Sequence, residues 1–171
     1  MNNNWTATMR SKAKGVALVL ASTFIMTTGI MTTDPAQAGD TKTVPYWASL
    51  SASEARMRVG PDLDFPSNWV YRRRDLPVKV VQVHNNWRKI EDSTGTQGWM
   101  HVRLLSDTAT AIVTQPIAEM HVAPDTQTKL LYRVEAGVVG RVKDCDKGWC
   151  SFDVHGQRGY IRTNALWGAV Q

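Results

Sequence analysis

Few residues in this chain have the types and spacing that chemistry requires, and the two cysteines come first. Cys145 and Cys150 bracket the segment CDKGWC, residues 145–150. A thiolate nucleophile needs an activating base, and neither cysteine lies in a recognisable cysteine-peptidase segment. The four histidines, His84, His101, His121 and His155, lack the paired spacing that holds zinc. Glu91 and Asp92 are adjacent acids in a turn region, whereas acid-base work needs carboxyls in distinct environments. No glycine-rich phosphate loop occurs. These residues point away from catalysis, and no metal or cofactor is expected.

The segment suited to recognition is PSNWVYRRRDLPV, residues 66–78, read as part of a long loop. Arg72, Arg73 and Arg74 follow Trp69 and Tyr71 there. Guanidinium forks match carboxylates bidentately, and an aromatic shelf beside them suits a peptide. Alternatively, the arginines are a solvated face and the two aromatics turn inward to cap a core. Trp87, Trp99, Trp149 and Tyr160 carry the same ambiguity, because aromatics both line grooves for extended peptides and fill small cores. The candidate ligand-binding residues are Trp69, Tyr71, Arg72, Arg73, Arg74, Trp87 and Trp99.

The compartment is set at the start of the chain. Arg10, Lys12 and Lys14 precede an apolar stretch from Gly15 to Met31, and Ala36-Gln37-Ala38 offers the small residues of a cleavage site. A signal peptide over residues 1–38 is expected, cut between Ala38 and Gly39; an uncleaved anchor is the alternative. No other run is long enough to span a bilayer, so the mature chain is expected to be soluble and exported. The formal net charge is +5, and the leader takes three of its basic residues with it. A balance that mild, outside the cytoplasm, argues against nucleic acid as a partner. In an oxidising compartment Cys145 and Cys150 are expected to form a disulfide.

The elements that must position these residues are strands. Residues 39–45 are polar and read as a linker. LPVKVVQVH (76–84), WRKIED (87–92) and GWMHVRLL (98–105) alternate apolar with polar residues. The hairpin formed by the last two is expected to place Ile90 and Trp87 on one side, with Lys89 and Glu91 on the other. Gly98 is expected to supply a bulge or a positive φ. No window supports an amphipathic helix. The pattern is then repeated: RMRVGPD (56–62) aligns with EMHVAPD (119–125) at an offset of 63, and QGWMHVRLL (97–105) with RGYIRTNAL (158–166) at 61. Two all-β units follow, residues 46–108 and 109–171. Units of about sixty residues bury a small share of their surface, which accounts for the six tryptophans that follow the leader.

In Arg56-Met57-Arg58-Val59-Gly60-Pro61, Asn86-Trp87-Arg88-Lys89-Ile90, and Gly98-Trp99-Met100-His101 through Leu104-Leu105, the chain resembles the bacterial SH3-like family in its tandem exported form. The second unit departs at His121, Ala123 and Tyr160, where the family has Arg, Gly and Trp. The resemblance implies two tandem small SH3-like β-barrels, with Leu166-Trp167-Gly168 closing the second. It also implies a periplasmic binding role, with peptidoglycan stem peptides or an envelope protein as partner. A scaffolding protein that recognises only protein is the second expectation.

Overall fold

A computed structural model describes residues 42–170. The expected leader, its cleavage point at Ala38 and Gly39, and the first residues of the expected linker lie outside the described residues. The first half contains β1 (Tyr46–Leu50), β2 (Ala55–Arg58), β3 (Ser67–Tyr71), β4 (Pro77–His84), β5 (Trp87–Glu91), β6 (Gln97–His101) and β7 (Leu105–Ser106). The second contains β8 (Thr110–Val113), β9 (Ile117–His121), β10 (Leu130–Glu135), β11 (Val139–Asp146), β12 (Trp149–Val154), β13 (Gln157–Arg162) and β14 (Leu166–Gly168). A short 3-10 turn precedes the last strand of each half. No helix among the described residues is long and apolar enough to cross a membrane.

The strands form two seven-stranded antiparallel sheets, β3-β2-β6-β5-β4-β1-β7 and β10-β9-β13-β12-β11-β8-β14. Each strand of the second order is the first-half strand plus seven, so the sequence repeat is a repeat of topology. Side chains alternate along each strand. On the inward face of the first sheet Met57, Val80, Ile90 and Met100 are fully buried. Met120, Phe152 and Ile161 fill the matching places in the second.

Three expectations change. Trp87 and Ile90 lie on opposite faces, because they are three positions apart and a strand repeats every two. Ile90 belongs to the core cluster and Trp87 does not. Gly98 makes no bulge: β5 and β6 run in unbroken register from Trp87↔His101 to Glu91↔Gln97. It is glycine for lack of room, since a Cβ there would lie 2.6 Å from Met57 Cγ and 2.9 Å from the Arg58 carbonyl oxygen. Finally, the segment read as a long loop contains β3, an edge strand hydrogen-bonded to β2. Its exposed residues hide the alternation that would mark it as a strand.

Cys145 in β11 and Cys150 in β12 form a disulfide across a tight hairpin. The tip is Lys147-Gly148, both at positive φ of 46° and 81°, as a two-residue turn matched to strand twist requires. In the first half the position of Cys150 is taken by Arg88. That buried guanidinium donates to the Tyr46 hydroxyl at 3.0 Å and to the Asn85 carbonyl at 2.8 Å. One half is fastened covalently and the other by hydrogen bonds.

The halves meet at Trp47 and Trp167, packed edge to face with ring centroids 4.8 Å apart. Arg73 donates to the Gly137 carbonyl at 2.8 Å, and Asp75 faces Arg141 at 3.6 Å. Trp167 thus joins the first half while β14 pairs with β8. Lys42, in the expected linker, is ion-paired with Asp107 and lies over the Tyr46 ring.

Candidate functional site

Strand register gathers an outward-facing group in the first half. Trp87 pairs with His101, Lys89 with Trp99, and Arg58 with Trp99, so these side chains share the face opposite Ile90 and Met100. Trp87, Arg56, Arg58, His101, Leu104, Glu54 and the 68 % exposed Leu63 line a groove of about 260 Å³. Trp87 is its buried floor. The His101 ring stands edge-on to it, with centroids 5.4 Å apart. His101 Nδ1 accepts the Arg103 backbone N–H at 3.2 Å, which leaves the proton on Nε2. Burial, then the charges of Arg103 and Arg88, push the His101 pKa below its ordinary value. The ring is neutral at neutral pH and presents a donor.

A second, shallower depression of about 510 Å³ adjoins this groove, sharing Glu54 and Arg56 with it and adding Trp69 and Arg72. Trp69 is 55 % exposed. Arg56 and Arg72 both face Glu54, at 3.6 and 3.8 Å. Two guanidinium groups therefore share one carboxylate and keep donors free for a ligand.

The expected shelf is divided. Trp69 and Arg72 line this depression, Arg72 from the outer side of β3 and Trp69 from the side it shares with Met57 and Tyr71. Tyr71 does not: it is buried, and its hydroxyl donates to Asp92 Oδ2 at 2.9 Å. Arg73 and Arg74 turn to the other side and line a cleft against the second half. Trp99 shares the outer face but lies against His84, with centroids 6.3 Å apart, and it does not line the groove. Sequence reasoning missed Glu54, Arg56, Arg58, Leu63 and His101 as partners of Trp87. Strand parity counted from Ile90 would have found Arg58 and His101.

The second half carries the matching groove, about 350 Å³, with Trp149 in place of Trp87 and Arg162 in place of His101. Its chemistry differs. Glu119 stands where the first half has Arg56, Glu135 where it has Arg72, and Ile117 where it has Glu54. Arg162 lies over the Trp149 ring at 4.4 Å, so that face is already covered by a residue of the chain. Tyr132 holds the place of Trp69 and is 39 % exposed.

His121 explains its own substitution. Arg58 donates to the Phe65 carbonyl at 2.5 Å, and His121 Nδ1 bonds the Thr128 carbonyl, at the equivalent position, at 3.1 Å. Both side chains tether the loop that follows their strand. Gly60 has the Phe65 ring where its Cβ would be, at 2.5 Å. Ala123 is accommodated because Thr128 replaces that ring.

Residues 51–107 and 114–168 match the family described as Bacterial SH3 domain. The chain belongs to that family and contains two of its domains in tandem. Among solved structures it is similar to NlpC2 from Trichomonas vaginalis, with 17 % identity, a TM-score of 0.34, and coverage of 74 % of this chain and 49 % of that one. NlpC1 from the same organism gives 17 %, 0.34, 75 % and 48 %. An NlpC/P60 family protein from Bacillus cereus ATCC 10987 gives 16 %, 0.33, 72 % and 56 %. The chain spans about half the length of these structures, and likeness of that degree transfers no activity. No curated protein matches the chain.

Proposed function

We propose that this is a non-enzymatic binding protein of the bacterial envelope whose first domain takes extended peptides with free carboxylates, the stem peptides of peptidoglycan before others. Each sheet is read as coiling into an SH3-type barrel, residues 46–108 and 109–171. The carrying observation is the continuous surface from exposed Trp69 through Arg72, Glu54 and Arg56 to Trp87. Aromatic surface holds the peptide backbone, and the surplus guanidinium groups hold its carboxylates. Trp69, Arg72 and Trp87 make the contacts, Trp99 borders them, and Tyr71 supports them from beneath. Arg73 and Arg74 serve at the junction. A disulfide supports export after removal of the leader, since such bonds persist in oxidising compartments.

The scaffolding alternative has one observation in its favour. Trp47 and Trp167 are used between the halves, as expected where aromatics serve assembly. Co-sedimentation with purified sacculi separates the two. Arg56 and Arg72 are exposed, so replacing both by Glu, the residue of the second half at each position, changes stability by about 1 kcal/mol or less. The wild-type chain is expected in the pellet and the double variant in the supernatant. A pelleted double variant overturns the site, and a wild-type chain left in the supernatant overturns wall binding.

A further inference from the structure

The arginines that turn away from Trp69 lead to a second site. Arg73, Arg74 and Asp75, between β3 and β4, form one wall of a cleft of about 290 Å³. The opposite wall belongs to the second half, with Arg141 on β11 and Asp153, His155 and Arg158 around the β12–β13 turn. Four guanidinium groups thus face two carboxylates, a surplus of two positive charges before His155 is counted.

Both carboxylates are committed to neighbours. Asp75 faces Arg141 at 3.6 Å. Asp153 accepts the Gly156 N–H at 2.7 Å and Arg158 Nε at 2.6 Å. The Gly156 bond, then the Arg158 bond, hold the Asp153 carboxyl below the usual carboxylate range, so it stays charged across neutral pH. On the donor side, Arg73 places one N–H on the Gly137 carbonyl at 2.8 Å, and a guanidinium has five N–H groups. Arg74 is exposed and makes no hydrogen bond or ion pair among the described residues. The walls are fixed by contacts across the junction, while donors from both halves remain available.

We propose that this cleft binds a doubly charged oxyanion of the phosphate monoester class, held between the two halves. Three features select that class. The charge surplus equals that of a dianion near neutral pH. The volume is at the low end for ligand pockets, enough for a compact head group. Guanidinium forks meet phosphate oxygens bidentately. The site is separate from the Trp69–Trp87 surface and independent of the peptide assignment. Because the ligand contacts both halves, its binding stabilises their junction by mass action.

The test uses the full chain and inorganic phosphate at fixed ionic strength, following by NMR the backbone amides of Gly140 and Gly156, which line the cleft, and the unfolding temperature in parallel. Saturable movement of both amides with a rising unfolding temperature is expected. Arg74→Ala, at an exposed position, should fold normally by circular dichroism and weaken binding about tenfold or more, the loss of one charge-assisted hydrogen bond. Lys129→Ala, an equal loss of charge elsewhere, should bind as the wild type does. Malonate, a dicarboxylate, should bind at least about tenfold more weakly. Non-saturable movement, or equal weakening by Arg74→Ala and Lys129→Ala, would overturn the site. Equal affinity for malonate would overturn the phosphate assignment.

Discussion

Tyr71 and Asp92 show how one hydrogen bond fixes an aromatic that composition alone leaves ambiguous. Burial, followed by the hydrogen bond to Asp92 and its charge, pushes the Tyr71 hydroxyl far above its ordinary pKa. Burial acts to raise the Asp92 pKa. Hydrogen bonds from the Thr94 hydroxyl, Tyr71, and the Thr94 and Thr96 backbone outweigh it, and the carboxyl lies below the usual range. The folded state therefore binds this proton less readily than the unfolded chain. The stabilisation is complete above the unfolded value of about 3.9 and is lost as the pH falls through the folded value. Asp92→Asn should flatten that part of the stability profile, measured by urea unfolding from pH 2 to 6; an unchanged acid limb would contradict the assignment. Tyr71→Phe should cost about 1 kcal/mol at neutral pH, since it leaves a half-buried carboxylate short of a donor. Trp69 and Tyr71 are two residues apart on one strand, and their types do not tell which is covered. Their places along the edge strand β3 decide it: Tyr71, opposite Ala55, reaches Asp92, while Trp69, opposite Met57, stays exposed, and that is a property of the sheet.

Strands β4, β5 and β6 were legible from alternation, and the inward set of Val80, Ile90 and Met100 follows from it. What alternation does not convey is how closely neighbouring strands approach. Gly98 and Gly159 occupy equivalent places where β6 and β13 pass β2 and β9. A Cβ at Gly98 meets the Arg58 carbonyl at 2.9 Å and Met57 at 2.6 Å; at Gly159 the nearest atoms are the His121 carbonyl at 3.0 Å and Met120 at 3.3 Å. Overpacking of this kind costs about 1–3 kcal/mol. Gly98→Ala should therefore lower the denaturation midpoint more than Gly159→Ala, and the reverse order would show that Met57 yields more easily than its position implies. The hairpins differ in their fastening. Removing the Cys145–Cys150 bridge, which spans a sequence separation of 5, should cost the second domain about 2 kcal/mol on the chain-entropy model. Chemical denaturation with and without a thiol reductant measures it, with no change expected in the first domain, where Arg88 and Tyr46 do the corresponding work.

At the scale of the molecule, duplication has kept the framework and changed the surface. Trp87 and Trp149 floor equivalent grooves, but Arg56 and Arg72 are answered by Glu119 and Glu135, and where His101 stands edge-on to Trp87, Arg162 lies over the Trp149 ring. The repeat was plain in the sequence, whereas the direction taken by Arg73 and Arg74 was not, because it depends on where the second half sits. The junction has its own consequence. Trp47 and Trp167 form an edge-to-face pair, worth about 0.5–1.5 kcal/mol beyond burial. Trp167→Ala should separate a single calorimetric transition into two, and a transition that stays single would place the coupling in the Arg73 and Asp75 contacts instead.

The most direct test of peptide recognition by the first domain follows the tryptophan indole N–H signals of the isotope-labelled chain during titration with a peptidoglycan stem tripeptide. The Trp69 and Trp87 signals are predicted to move together to saturation while the Trp149 signal stays in place. Movement of Trp149 alone, or of none of the three, would contradict it.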